Sequence, residues 1–122
     1  MKKILLVEDE IAYIKLLHDR LTTTGYEVVE AYNGKSGLDI AIREKPDLII
    51  LDLRMPVMDG VSMLKKLRED VWGGNVYVLI LTNLDDSENI SKTINEKCSR
   101  YLIKSDTTVN SVIEDVKLLL HE

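Results

Sequence analysis

Five side chains able to handle a cation or an anion come at the ends of short apolar runs. Glu8 and Asp9 follow Ile4-Leu5-Leu6-Val7, and Asp52 follows Leu48-Ile49-Ile50-Leu51. Thr82 follows Leu79-Ile80-Leu81, and Lys104 follows Tyr101-Leu102-Ile103. Carboxylates held together raise one another's pKa unless a cation lies between them. Glu8, Asp9 and Asp52 are therefore candidate cation ligands. Hard oxygen donors that leave room for water suit Mg2+ better than Ca2+, which takes a denser ligand set. Asp52, between Leu51 and Leu53, can act as a nucleophile toward phosphorus. Such a transfer depends on positioning and charge neutralisation. Lys104 can supply a point positive charge, and the Thr82 hydroxyl can donate to an oxygen.

Each residue alone has a plainer account. Thr82 reads as a turn residue before Asp85-Asp86-Ser87, and Lys104 as a solvated lysine. The triplet Glu8-Asp9-Glu10 reads as a charge cluster favouring a helix dipole, and for Glu10 that account is preferred. As a set, ending neighbouring strands in this order, the others are better explained by chemistry.

The positioning elements can be read from periodicity. Strands are expected at 3–7, 27–31, 48–51, 76–81 and 100–103. Three of these are nearly continuous apolar runs, as for strands buried on both faces of a parallel sheet. Ile11, Ile14, Leu17 and Leu21 mark a first helix, with Gly25 placed to end it. A second covers about 35–44, with Leu38, Ala41 and Ile42 on one side, and a third carries Val61, Leu64, Leu67 and Val71. The fourth, roughly 86–96, has a thin stripe of Ile90 and Ile94. The last has Val109, Val112, Ile113, Val116, Leu119 and Leu120, with Asp106 and Thr107 as capping candidates. Gly73-Gly74 reads as a flexible loop. Strand and helix alternate five times, which predicts α/β architecture with helices on both faces of a parallel sheet. Ligands then bind at the carboxyl ends of the strands, where the five chemical side chains lie.

The chain has 122 residues, enough for a single domain spanning 1–122. One cysteine, Cys98, excludes an intrachain disulfide and suits a reducing compartment. The first apolar run stops at Glu8, too short for a signal or membrane segment, so a cytoplasmic protein is expected. A net charge of −5 without a basic run disfavours nucleic-acid binding. His18 and His121 read as solvated helix positions, Trp72 as a packing residue and Leu118 as an isolated exposed leucine.

The stretches from Ile4 to Glu10 and from Asp47 to Gly60, the latter containing Asp52-Leu53-Arg54-Met55-Pro56-Val57-Met58-Asp59-Gly60, resemble the receiver domains of two-component response regulators. Leu81-Thr82 and Tyr101-Leu102-Ile103-Lys104 are similar to the family in the same register, and the likeness covers essentially the whole chain. It implies a (βα)5 doubly wound, flavodoxin-like sheet of order 2-1-3-4-5. It implies Asp52 as phosphoacceptor in phosphorelay signal transduction, taking its group from a histidine kinase or phosphotransfer protein. Mg2+ would bind Glu8, Asp9, Asp52 and the backbone carbonyl of Arg54. Thr82 and Lys104 would hold the phosphoryl group, and Tyr101 would be the switch aromatic, turning inward when Thr82 moves. The face of the fourth helix, fifth strand and fifth helix would then change, altering partner binding or homodimerisation.

The sequence departs from the family pattern at three places. Ser105 stands where a proline, with a cis bond, usually follows the lysine; Lys97-Cys98 replaces a glycine-alanine pair; and Asn83 replaces a small residue after the threonine. Two other classes are weaker. An aspartyl-phosphate hydrolase needs an acid/base carboxylate two residues after the nucleophile, where Arg54 stands, so no enzyme beyond self-phosphorylation and self-dephosphorylation is expected. A phosphorylation-independent interaction module would be favoured if the acidic pair, Asp52, Thr82 or Lys104 were missing. The sequence is compatible with a stand-alone receiver and with one excised from a regulator carrying an output domain.

Overall fold

The computed structural model describes residues 1–84 and 87–122. Five parallel strands, β1 (Lys3–Val7), β2 (Glu27–Ala31), β3 (Leu48–Leu51), β4 (Tyr77–Thr82) and β5 (Arg100–Ile103), form one sheet in the order β2-β1-β3-β4-β5. Helices α1 (Ile11–Thr24), α2 (Gly34–Glu44), α3 (Gly60–Glu69), α4 (Ser87–Asn95) and α5 (Val109–Leu119) connect and follow them. The fold is the expected flavodoxin-like one.

Strand alternation divides the core into two layers. Ile4 and Leu6 of β1 pack with Ile14, Leu17 and Leu21 of α1 and Val112, Ile113 and Val116 of α5. Leu5 and Val7 face the other way, toward Ala41 of α2 and Met63, Leu64 and Leu67 of α3. The central strands β1, β3 and β4 are buried almost throughout, whereas β5 at one edge has no fully buried residue.

Several expectations are corrected. β4 runs one residue later than predicted, from Tyr77 to Thr82, because the Val76 carbonyl is taken by Arg68. Ile11 and Ile42 are exposed. Val71 is fully exposed, since α3 stops at Glu69 and Asp70 is already extended. In α4 the buried residue is Thr93, while Ile94 is 60% exposed. Thr93 can be buried because its hydroxyl donates back to the carbonyls of Asn89 and Ile90. The expected start of this helix at Asp86, and its neighbour Asp85, lie outside the described residues. Thr108, and not Asp106 or Thr107, caps α5 by accepting from the Ser111 N–H. Gly73 is buried, and its carbonyl is held by Arg68, so this loop is fixed at that point. His18 is paired with Glu30, Nδ1 to Oε2 at 2.5 Å, and His121 lies beyond α5. Gly25 ends α1 as expected, at φ 113°. Among the described residues, no helix is long and apolar enough to cross a membrane.

Candidate functional site

Two backbone bonds carry the sheet one residue past its strands. The Glu8 N–H donates to the Ala31 carbonyl and the Asp52 N–H to that of Val7, each at 3.0 Å. Val7 and Leu51 are register partners, so the residues after them, Glu8 and Asp52, emerge side by side. Both are buried, at 5% and 6% exposure. Asp9, exposed, completes a group in which one carboxylate oxygen from each residue lies within 4.8 Å of the others.

Local hydrogen bonds aim these carboxylates. Glu8 Oε2 accepts from the N–H groups of Asp9 and Glu10 at 2.9 and 3.1 Å. Asp52 Oδ1 accepts from the Arg54 N–H at 3.2 Å. The loop after Asp52 is held tightly as well: the Gly60 N–H donates to the Leu53 carbonyl at 2.9 Å. A Cβ at Gly60 would lie 2.4 Å from the Asp52 carbonyl oxygen, so no larger residue fits without moving Asp52. Within this loop Val57 has φ 68°, an unusual conformation for a β-branched residue.

Lys104 enters from the far side of the sheet. Its ammonium contacts Glu8 Oε1, lies 3.1 Å from Asp52 Oδ2 and 3.1 Å from Glu10 Oε1, and sits 4.6 Å from the centre of the Tyr13 ring. The Lys104 side chain is only 8% exposed, so it is not the solvated lysine of the plainer account. Burial pushes Glu8 up to about 7, against the lowering pull of Lys104. Burial alone would depress Lys104; contacts with Glu8, Asp52 and Glu10 outweigh it and hold its pKa above the ordinary value. Burial likewise raises Tyr13.

Thr82, 1% exposed, ends β4 beside this group. Its Oγ1 accepts a long bond from the Leu84 N–H at 3.4 Å. The Tyr101 hydroxyl donates to the Leu84 carbonyl, tying the half-buried ring to the segment after Thr82. Asp52, Thr82, Lys104, Asp9, Arg54 and Asn83 line one cleft of about 190 Å3, together with Glu10 and Leu84.

The five side chains singled out by type and spacing are thus brought together. Sequence reasoning missed two contributors. Glu10 was assigned to the helix dipole, yet its side chain caps nothing and reaches Lys104 instead. Tyr13 was not singled out. The available signal was its spacing of three from Glu10, which puts both on one side of the first turn of α1. The departures take definite forms: Lys97 has φ 59° and the Lys104–Ser105 bond is trans.

The donor set is all oxygen and acidic, with two buried carboxylates, Glu8 and Asp52. A hard divalent cation fits it, with Glu8, Asp9 and Asp52 as holders.

The chain spans 84% of itself and 42% of the longer "Probable transcriptional regulator ycf27" of Porphyridium aerugineum, at 34% identity over 103 residues. It is 36% identical over 92 residues to "Sporulation initiation phosphotransferase F" of Bacillus subtilis (strain 168), covering 75% of this chain and 73% of that protein. Among solved structures, a response regulator receiver domain protein (CheY-like) from Methanospirillum hungatei JF-1 superposes with a TM-score of 0.93 at 26% identity, covering 99% of this chain and 94% of the other. The family model of the response regulator receiver domain matches residues 4–115, and with that match the chain belongs to the receiver domains of two-component response regulators.

Proposed function

We propose that residues 1–122 form one receiver domain whose Asp52 accepts a phosphoryl group from a phosphohistidine on a kinase or phosphotransfer partner in the cytoplasm. The observation that carries this is the placement of Asp52: buried at the carboxyl end of β3, with Glu8 and Asp9 beside it and Lys104 at 3.1 Å. A carboxylate oxygen of Asp52 attacks phosphorus, the P–N bond breaks, and the imidazole nitrogen leaves with its electron pair. Glu8, Asp9, Asp52 and the Arg54 carbonyl would hold Mg2+, which when bound would supply the charge neutralisation that the transfer needs. Lys104 neutralises a phosphoryl oxygen and the Thr82 hydroxyl donates to another. The chain catalyses only its own phosphorylation and dephosphorylation.

Incubation with a small phosphodonor and Mg2+ should add one phosphoryl mass to the intact protein. Asp52→Ala should abolish the addition; undiminished labelling of that variant would refute the assignment.

The signal leaves through α4, β5 and α5, to a partner, a second copy or an output domain. Tyr101 and Thr82 both engage Leu84, so a displaced Thr82 disturbs the ring's anchor. Only Thr93 in α4 is fully buried among the described residues, so this helix is held more lightly than its neighbours. A phosphoryl mimic should shift backbone NMR signals most across 83–105. Changes confined to the neighbourhood of Asp52 would contradict this route.

A further inference from the structure

Asn83 and Ser105 lie side by side at the ends of adjacent strands, each directly after one of the cleft's polar side chains, Thr82 and Lys104. Ser105 lies in a short 3-10 turn, Lys104–Asp106, that begins where β5 ends. The first N–H groups of such a turn have no partner inside it. That of Ser105 finds one outside, donating to Asn83 Oδ1 at 3.1 Å. Asn83 follows Thr82, the last residue of β4, and Thr82 is the register partner of Ile103, the last residue of β5. The bond therefore closes the sheet one step beyond its final ladder position. It joins the residue after Thr82 to the residue after Lys104.

The consequence falls on Lys104. Its ammonium is held at the far end by Glu8, Glu10, Asp52 and the Tyr13 ring. At the near end, the stem starts from the peptide that Ser105 shares with it. Fixing that peptide fixes the backbone from which the stem departs, and with it the direction in which the side chain sets out toward the carboxylates. A proline at 105 would present no N–H and need no acceptor; serine does present one, and Asn83 supplies the acceptor.

We propose that Asn83 is a positioning residue of this site: through Ser105 it fixes the peptide following Lys104, and with it the place of the ammonium beside Asp52. The proposal rests on the phosphoryl-accepting reading above. Asn83 lines the cleft but is itself exposed, so its removal leaves no cavity and its effect is not one of packing.

The test is Asn83→Ala with two readouts. The first is the rate of phosphoryl uptake from a small acyl phosphate with Mg2+, followed by intact mass. The second is the NMR signal of the Tyr13 ring in the cation-free protein, where the ring reports the position of Lys104. The variant should take up the group about fivefold more slowly, the factor that one ordinary hydrogen bond carries. Its Tyr13 ring signals should move although Asn83 has no hydrogen bond to that residue. An unchanged rate overturns the proposal. So does a slower rate with unmoved Tyr13 signals, because Asn83 would then act without Lys104. If the wild-type protein gains no phosphoryl mass, the phosphoryl-accepting reading has failed instead, and the Tyr13 signals still decide whether Asn83 holds Lys104.

Discussion

Lys104→Met should make the stability of the domain depend on a divalent cation. Lys104 is the positive charge in direct contact with the buried carboxylates of Glu8 and Asp52, and all three side chains are at most 8% exposed. Methionine keeps most of the stem and removes the charge. Taking one partner from a buried ion pair costs about 3–5 kcal/mol, because the other is left uncompensated. For a chain of this size that corresponds to a fall in Tm of roughly 10 °C or more. Thermal unfolding in a chelator should show this loss, and millimolar Mg2+ should restore most of it by supplying the missing charge. A loss equal in chelator and in Mg2+ would show that no cation binds among these carboxylates.

The same variant carries a pH signature. Glu8 has an ordinary value of 4.5 and is pushed up to about 7 in the folded protein, burial being the largest cause. A folded-state value above the unfolded one means the native protein binds more protons between those limits. Stability from this group therefore falls as pH rises through that window, and the penalty is complete above it. Removing Lys104 removes the groups' main lowering influence, so the Glu8 value rises further and the window widens upward. The Glu8 part of the Lys104→Met deficit in chelator should be small below about pH 7 and should grow as pH rises above it, because only there is Glu8 ionised in the folded wild-type protein. A deficit independent of pH would mean that Glu8 is not the group left uncompensated.

How much of this was legible beforehand follows from what each feature depends on. The strands and the order of chemical residues were legible because β1 and β3 are buried on both faces, and such runs leave apolar sequence with abrupt polar ends. Glu8, Asp9, Asp52, Thr82 and Lys104 mark those ends. Helix faces were less legible. Ile94 is exposed while Thr93 is buried, because a hydroxyl that bonds its own helix backbone can enter a core that polarity alone would deny it. The spacing of Glu10 and Tyr13 puts them on one side of α1, but that this side faces Lys104 is a tertiary relation that the spacing does not reveal. The Asn83–Ser105 bond was visible only as two separate departures from the family pattern; that they answer each other required the end of β4 to be seen against the end of β5.

Arg68 was wholly invisible in the sequence, and its replacement should be the other severe lesion. The residue lies near the end of α3, and its guanidinium donates to four backbone carbonyls: Glu96 at 3.0 Å, Gly73 and Val76 at 2.8 Å, and Lys97 at 2.7 Å. Carbonyl acceptors leave no trace in residue types. The fork joins α3, the loop leading into β4, and the turn after α4. That turn needs it most, because Lys97 holds φ 59° without being glycine, a conformation that costs about 1–2 kcal/mol. Arg68→Met should destabilise the domain by about 2–4 kcal/mol, since several part-buried acceptors lose their donor at once. Arg68→Lys should recover little of it, because one ammonium cannot span four acceptors in fork geometry. Urea unfolding measures the loss, and hydrogen exchange locates it: amides of 92–99 should exchange faster while those of β1 and β3 keep their rank. If the methionine variant stays within about 0.5 kcal/mol of wild type, as an ordinary surface substitution does, the fork is not what holds the end of α4. The lightly packed helix would then have to be anchored chiefly by packing around its buried Thr93.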